Sequence, residues 1–503
     1  MADENLSRLA CVSCHRQKRK CTRELPTCQL CQKNRRICEY PPTPSPESGV
    51  DSSNAVSERN RGQALFFVDS YTFNQRRMCI EGVASVSPQE LTDELGNKAQ
   101  MQLDAECYFA STHNFLPIVS RHRLYQHLMR MTDLTLDTAL VLSTMKLLSL
   151  STDNIRSGKN LYQKLKRNLF LAEMQGEISV KMLQATVLVG LYEMANGILP
   201  AAYLTVGHCA RMGHALGIHD RRNAPQMFPS PRSWTELEEQ RRVWWGVMVL
   251  DVYLNVGVSD RPLAIINVQP ADLLPMDEAL WDAGEQTVIP SLAVSSSADI
   301  PAPPFARTCQ ASHLLSRVVQ HINLKPSNMR EYYEEGIQLH YVLQAFHGAL
   351  THETSTMDPT GAASLWSARG ICYTALIALY DHHSCAELNN SEGIGIAEQL
   401  QMQEISLTTM HDVGVSLWEF SHGLPEAVSV VGPRAATPFV TECLYSAARQ
   451  YTWYIWETGK TELNTAVADL VTALRLLGCY WDVSNQYLSI LETEGMPGSG
   501  SDL

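Results

Sequence analysis

The sequence predicts a chain of two parts: a small cysteine-rich module of two short, pseudo-twofold related helices, followed by a large all-α helical domain. Three observations lead to this prediction. Six of the 14 cysteines lie within residues 11–38, apolar residues beyond about residue 100 recur every three or four positions, and charge is unevenly distributed. The 503 residues carry a net charge of −13, but residues 1–40 carry +5 and the other 463 carry −18.

The six clustered cysteines form two copies of one motif, Cys-x2-Cys-x6-Cys, with six residues between the copies. Two tetrahedral zinc ions need eight ligand positions, which six thiolates can fill only if two of them bridge both ions. The repeat assigns the bridging positions to Cys11 and Cys28, the first cysteine of each half. We therefore expect a binuclear cluster of two Zn²⁺ whose metal ligands are Cys11, Cys14, Cys21, Cys28, Cys31 and Cys38.

Other cysteine frameworks fit this spacing less well. A set of disulfides needs an oxidising compartment, and the polar N-terminus has no apolar segment typical of an export signal. RING and LIM sites use other spacings and usually histidine, and an iron–sulfur cluster takes four cysteines rather than two sets of three. The eight scattered cysteines are expected to be small buried hydrophobic residues.

A basic run, HRQKRK, separates the second cysteine from the third. Four of its six residues are cationic, which favours contact with a phosphate backbone. Such a run alone would favour a solvated surface or a nuclear import signal. Its position between predicted zinc ligands favours DNA binding, and the two roles can coexist.

Residues 11–40, CVSCHRQKRKCTRELPTCQLCQKNRRICEY, closely resemble the fungal Zn(2)-Cys(6) binuclear cluster DNA-binding domain in the six cysteines, the basic run and Pro26. The resemblance implies double-stranded DNA as partner, a nuclear location, a first helix in the major groove and triplets of the CGG type. It places Lys18 at the base edges. Four further basic residues are expected to contact phosphates: Arg16, Arg19, Lys20 and Arg23. Gln17 departs from the family pattern, in which a second basic residue is common.

The predicted domains are the DNA-binding module at 8–40, a Pro/Ser-rich flexible linker at 41–99, an all-α regulatory domain at 100–492 and a disordered tail at 493–503. No sustained heptad pattern occurs between residues 40 and 100. Binding as a monomer to single triplets and dimerisation through another region therefore both remain open.

Two segments of the large domain, AAYLTVGHCARMGHALGIHD (201–220) and EEQRRVWWGVMVLDVYLNVGVSDRPLAI (238–265), resemble the regulatory, or middle homology, domain of fungal-specific transcription factors. We expect Glu238 and Arg242 to form a structural ion pair, because residues four apart share a helix face. Trp244 and Trp245 are expected in the core. Residues 351–361 are expected to form a surface loop, and the pair His382–His383 a helix cap or surface feature.

The sequence contains no GxSxG, HExxH or Walker motif, so no catalytic residues and no enzymatic activity are predicted. No apolar stretch is long enough to span a membrane. The leading hypothesis is a sequence-specific regulator of RNA polymerase II transcription that controls a metabolic or secondary-metabolite gene set. Its acidic helical domain would regulate activity through a protein partner or a small-molecule effector, and its acidic C-terminal end, from about residue 469, could recruit the transcription machinery. The alternatives are a zinc-dependent protein–protein adaptor, a non-activating repressor and an enzyme targeted by its zinc module.

Overall fold

The computed structural model describes residue 7, residues 10–40 and residues 89–493, apart from residues 17, 18, 35, 37, 131, 151–154, 221–223, 225–230, 259, 266–267, 287–289, 325, 385–395 and 433–435. The chain forms two compact units, residues 1–67 and residues 68–503, and each is described by itself. Lys18, most of the predicted linker and the predicted tail beyond residue 493 lie outside the described residues.

The first unit contains two five-residue helices, α1 (Val12–Arg16) and α2 (Gln29–Lys33). Four cysteines, Cys11, Cys14, Cys28 and Cys31, form its buried centre. So small a unit has little apolar core, and its stability must depend on what holds these cysteines together.

The second unit is largely helical in its described part, and its only pairing of extended residues there is an isolated bridge between Leu273 and Ala293. Its helices are α3 (Gln89–Leu95), α4 (Lys98–Phe109), α5 (Arg121–Arg130), α6 (Leu136–Ser149), α7 (Ile155–Met174), α8 (Val180–Ala195), α9 (Leu199–Leu216), α10 (Trp234–Tyr253), α11 (Glu278–Ala283), α12 (Pro304–Asn323), α13 (Met329–Thr356), α14 (Pro359–Ser364), α15 (Trp366–Ser384), α16 (Ile396–Val431), α17 (Thr441–Thr458), α18 (Asn464–Gly478) and α19 (Asp482–Thr493). Together with the two-helix module, this architecture confirms the predicted fold class.

The apolar periodicity of the sequence corresponds to the buried faces of these helices. Leu161, Leu165 and Leu169 lie on the buried side of α7, and Leu470 and Leu474 are fully buried on α18. Short polar side chains begin several helices, as when the Ser179 hydroxyl accepts a hydrogen bond from the backbone N–H of Met182. The stripes and caps together explain why an acidic sequence still forms one large helical core.

The predicted ion pair on α10 is confirmed and lies in the core. Arg242 is fully buried, and its Nε donates to Glu238 Oε1 at 3.0 Å. Its Nη2 donates to the Met276 carbonyl at 2.6 Å, and its guanidinium lies 4.3 Å from the centre of the Trp281 ring. Glu238 also accepts the Met276 N–H at 2.7 Å, so the pair fastens the segment before α11 to α10.

The two neighbouring tryptophans also pack inward. Trp245 is buried and donates to the Leu273 carbonyl at 3.0 Å. Trp244 is half-buried and lies against Gly213 on α9, where an added Cβ would come within 2.5 Å of its ring. The resemblance between residues 201–265 and a known domain therefore corresponds to a packed pair of helices.

Three expectations were wrong. Residues 89–95, inside the predicted linker, form α3, whose Leu91 and Leu95 are fully buried. A seven-residue helix is too short for the helical periodicity of its apolar residues to be recognised in the sequence. The expected loop at 351–361 is instead the last turns of α13 and the start of α14. The end of α13 is polar but still helical, and Asp358 caps α14 only two residues after α13 ends, so no loop separates the two helices. Of the pair His382–His383, His382 is exposed as expected, but His383 is buried, and its Nε2 lies 3.0 Å from Nε2 of His321.

Candidate metal centre and nucleic-acid interface

The sulfur atoms of the first unit form two groups of four that share two members. In the first group, Cys11, Cys14, Cys21 and Cys28 have their Sγ atoms within 4.8 Å of one another. In the second, the same is true of Cys11, Cys28, Cys31 and Cys38. The cysteines common to both groups are Cys11 and Cys28, the two that the sequence repeat assigns to bridging positions.

A pseudo-twofold scaffold holds these groups in place. The helix α2 begins and ends 17 residues after α1, and the hydrogen bonds around the helices recur with the same offset. The Cys11 N–H approaches Cys21 Sγ at 3.5 Å, and the Cys28 N–H donates to Cys38 Sγ at 3.3 Å. Equivalent backbone bonds of 3.0 Å close each helix, from the N–H groups of residues 19 and 36 to the carbonyls of residues 14 and 31. The sequence repeat is thus a repeat in space.

The distances between sulfur atoms fit tetrahedral zinc. A Zn–S bond of about 2.3 Å gives an edge of about 3.8 Å between two sulfurs of one tetrahedron. Cys11 Sγ lies 3.7 Å from Cys28 Sγ and 3.6 Å from Cys31 Sγ, and Cys14 Sγ lies 3.6 Å from Cys28 Sγ. Sulfur as the sole donor type, at these separations, suits a soft-liganded tetrahedral ion such as zinc.

Burial and hydrogen bonding divide the thiols into two kinds. Burial raises the pKa of Cys14 to about 12. It also raises the pKa values of Cys11 and Cys31 above that of an ordinary cysteine thiol. Burial also acts to raise the pKa of Cys28 and Cys38, but hydrogen bonds from backbone N–H groups and neighbouring thiols outweigh it and lower the pKa. So many adjacent sulfurs cannot all carry charge without cations between them.

Two residues that the sequence reasoning left without a role complete the module. The Tyr40 ring packs against the cysteine cluster, and its hydroxyl donates to the Glu24 carbonyl at 2.7 Å. Thr22 Oγ1 accepts the Gln29 N–H at 3.0 Å and so satisfies the first backbone donor of α2, whose N-cap residue Cys28 makes no side-chain capping bond. The sequence carries no signal for this contact, because Thr22 lies six residues before the N-cap position, where a short hydroxyl side chain would be expected.

The basic side chains that the structure describes lie at the surface of the module. Arg19, Lys20 and Arg23 are exposed, and Arg16 is the last residue of α1. Lys18, predicted to contact bases, falls outside the described residues. The exposed cations sit next to the cysteine groups in sequence, so a phosphate backbone can approach them without reaching the buried sulfurs.

The two units match two known kinds of domain. Residues 9–47 match the fungal Zn(2)-Cys(6) binuclear cluster domain, and residues 105–360 match the fungal specific transcription factor domain. The second match covers half of the chain. No described helix combines the length and apolarity needed to cross a membrane.

Relatives with similar sequences carry related names. "Transcription factor BOA15" of Botryotinia fuckeliana is 39% identical over 144 residues, which are 27% of this chain and 76% of the relative. "Pigment biosynthesis transcriptional activator pigB" of Monascus ruber is 24% identical over 320 residues, 55% of this chain and 56% of the relative. "Citrinin biosynthesis transcriptional activator mrl3" of Monascus ruber is 24% identical over 131 residues, 25% of each chain.

Proposed function

The chain belongs to the fungal transcription factors that join a Zn(2)-Cys(6) cluster to the fungal-specific transcription factor domain, and we propose that it is a zinc-dependent, sequence-specific regulator of RNA polymerase II transcription. The observation that carries the proposal is the pair of four-sulfur groups sharing Cys11 and Cys28. The matched families and relatives are transcription factors rather than enzymes, and the family implies a nuclear location.

The proposed cofactor is two Zn²⁺, held by all six clustered cysteines. Cys11 and Cys28 would each bind both ions, while Cys14 and Cys21 complete one site and Cys31 and Cys38 the other. Zinc supplies no reaction here: it closes a module that has almost no apolar core, so folding of the module should depend on metal. The nearby arginines and lysines would offset the net negative charge of a cluster with six thiolates and two divalent cations.

The proposed ligand is duplex DNA containing CGG-type triplets. Lys18 would donate to guanine in the major groove, while Arg16, Arg19, Lys20 and Arg23 would contact phosphates. The strongly acidic helical domain would be repelled by phosphate and would contact other proteins, including the transcription machinery. A homodimer is compatible with this proposal, since half-sites could then be read in pairs.

The proposed target is a biosynthetic gene set. Four relatives bear names that tie them to the biosynthesis of pigment, ascochitine or citrinin, which favours the same kind of target for this chain. Expression of the genes that neighbour this one, measured after its deletion, tests this part of the proposal. Unchanged transcript levels of every neighbouring biosynthetic gene would contradict it.

Zinc content tests the cluster. Full-length protein purified with zinc should contain two zinc ions per chain by elemental analysis. Because Cys11 belongs to both groups and Cys21 to one, Cys11→Ser should lose more zinc than Cys21→Ser. Cys107→Ser is the matched control, because Cys107 lies on α4 of the helical unit and should leave the zinc content unchanged. Equal zinc loss from Cys11→Ser and Cys107→Ser would contradict the assignment.

Selection from random duplexes, followed by titration, tests DNA reading. We expect CGG-type sites to be enriched by zinc-loaded protein and lost after chelation. Lys18→Ala should cost about 1–3 kcal/mol on the selected site and relax its specificity. Lys20→Ala should weaken binding to all duplexes about equally and reduce the salt slope by about one. Lys33 is an exposed lysine of α2, and the loss of DNA affinity in Lys33→Ala is the comparison for the other two variants. Failure to bind any duplex at low salt would favour a protein–protein adaptor instead.

A further inference from the structure

Three helices of the second unit bring two histidines and a methionine together in the core. His321 lies in the last turn of α12, His383 in the last turn of α15, and Met402 on α16. Each histidine is only 2% exposed, and Met402 is fully buried. The Nε2 atoms of the two histidines are 3.0 Å apart. The zinc module uses none of these side chains.

The three side chains meet over a glycine of a fourth helix, Gly336 of α13. A Cβ added at Gly336 would lie 3.2 Å from His321 Nε2, 3.4 Å from His383 Nε2 and 3.5 Å from Met402 Sδ. Two nitrogens and one sulfur therefore surround one point in the core, where the backbone carries only a hydrogen. Metal sites in helical proteins are built in this way, from side chains on facing helices.

A carboxylate determines which nitrogen of His321 faces this point. His321 Nδ1 lies 3.3 Å from Glu335 Oε2. Because an ionised carboxylate only accepts hydrogen bonds, Nδ1 carries the proton of the neutral ring and Nε2 presents its lone pair. The Tyr332 ring stacks on His321 with ring centres 4.3 Å apart and holds the imidazole in this orientation. Histidines that bind metals commonly have such a carboxylate on their other nitrogen.

In the absence of an ion, His383 Nε2–H donates to His321 Nε2. This hydrogen bond accounts for the 3.0 Å distance, but it requires neither a thioether beside the two rings nor a glycine below them. The distance also suits a shared ion, because tetrahedral bonds of about 2.0 Å separate two nitrogens by about 3.3 Å. On binding, the His383 proton would move from Nε2 to Nδ1, so no proton is released and the ring stays neutral.

We propose that this cluster binds one Cu(I) ion through His321 Nε2, His383 Nε2 and Met402 Sδ. Thioether sulfur is a soft ligand that selects Cu(I), and imidazole is also a good copper ligand. All three ligands are uncharged, and a monovalent ion costs less to bury among them than a divalent one.

Two further features of the site favour a single positive charge. Glu335 supplies one compensating negative charge through the His321 ring, and both histidines lie at helix C-termini, where the helix dipole favours cations. The Glu335 side chain is 42% exposed, so the cluster lies one side chain below the surface and an ion has a short way in.

Nuclear magnetic resonance of the methionine methyl groups tests the site in the full-length, zinc-loaded chain. Protein labelled with ¹³C in its methionine methyls is titrated with Cu(I) without oxygen, until the cysteines of the zinc module are saturated and beyond. Cu(I) is diamagnetic, and cysteine-bound copper in the zinc module is not bonded to a methionine sulfur. We expect the Met402 methyl signal, identified by its loss in Met402→Leu, to shift until one ion is bound at this site. The Met410 signal, from the same helix, should stay in place.

Two glycine variants separate metal binding from a structural histidine pair. Gly336→Ala keeps all three ligands but places a methyl where the ion lies, so the Met402 signal should no longer respond to Cu(I). The metal-free variant should fold normally, because alanine is favoured over glycine within a helix and the new contacts are 3.2 Å or longer. Gly348→Ala, on the same helix, meets no atom within 4 Å and should leave the response unchanged.

A Met402 signal that does not move with Cu(I) would overturn the assignment, as would equal responses in Gly336→Ala and Gly348→Ala. A Met402 signal that shifts with excess Zn²⁺ but not with Cu(I) would overturn the choice of ion. Zinc content measured before the titration separates this proposal from the zinc module: a chain that contains two zinc ions but shows no Met402 response overturns only the copper site.

Discussion

Replacement of Arg242 by alanine should destabilise the helical unit more than any loss of a surface charge. The guanidinium is fully buried, bonds to Glu238 and to the Met276 carbonyl, and covers the Trp281 ring. Arg242→Ala would leave Glu238 in the core with the Met276 N–H and with the half-buried Arg241, at 2.8 Å, as its only cationic partner in the described residues. Breaking a buried pair in this way costs about 3–5 kcal/mol, because the remaining charge is no longer compensated.

The matched control is Arg330→Ala on α13. Arg330 forms an ion pair of the same i, i+4 spacing with Glu334, at 2.9 Å, but both side chains are largely exposed. Such surface pairs contribute at most about 0.5 kcal/mol, because water and salt screen them. Arg330 also pairs with Glu398, at 3.1 Å, so the two substitutions compare an arginine that has carboxylate partners at the surface with one that has them in the core.

Urea unfolding followed by tryptophan fluorescence measures the difference. All nine tryptophans lie between residues 234 and 481, so the signal reports the helical unit and not the zinc module. We expect Arg242→Ala to lower the free energy of unfolding by several kcal/mol more than Arg330→Ala. If the two variants differ by less than about 1 kcal/mol, burial of the pair does not stabilise the fold as described.

Two further predictions concern the same unit. Burial raises the pKa of Asp251 to about 6, against two opposing hydrogen bonds from the backbone N–H groups of residues 264 and 265. The unfolded chain loses this proton near pH 4 and the folded chain near pH 6. The contribution of Asp251 to stability is therefore greatest below pH 4 and decreases, by about 2–3 kcal/mol, as pH rises through 6. Asp251→Asn should flatten the dependence of urea midpoints on pH between 4 and 6, and an unchanged slope would refute this. On α9, Gly213→Ala should destabilise by about 1–3 kcal/mol, because the added Cβ would collide with the Trp244 ring. Gly207→Ala on the same helix meets no atom within 4 Å and should raise the melting temperature slightly, and a matching loss at both glycines would contradict the packing described here.

The zinc module is the part of the chain whose structure the sequence alone predicts most completely. The identical spacing of the two cysteine triplets limits which sulfurs can bind the same ion. Only a few residues separate successive cysteines, so the backbone between them allows few relative positions of their side chains. The structure places Cys11 and Cys28 in both four-sulfur groups, where the ligand count had assigned them. The role of Tyr40 was not foreseen, since nothing in its spacing distinguishes a packed aromatic from an exposed one.

In the helical unit, local composition and position along a helix did not predict every loop and every buried residue. The loop expected at 351–361 rested on polar composition, but α13 continues to Thr356 because a long helix tolerates a polar end when its earlier turns are anchored. His383 was expected at the surface because it ends an apolar helix, yet α12 and α13 cover it with His321 and Tyr333. The second error concerns burial by elements distant in sequence.

The sequence by itself determined the chemistry and the class of the fold: six thiols in a repeated spacing, a basic run between them, and leucines with helical periodicity over 400 residues. These signals act over a few residues or one helix, so they can be read from the chain. Only the tertiary structure decided which polar groups are buried and paired, as with Arg242 and Met276, and which are buried without a hydrogen-bond partner in the described residues, as with Gln240 Oε1. That distinction depends on contacts between helices far apart in sequence, and these contacts exist only once the core has formed.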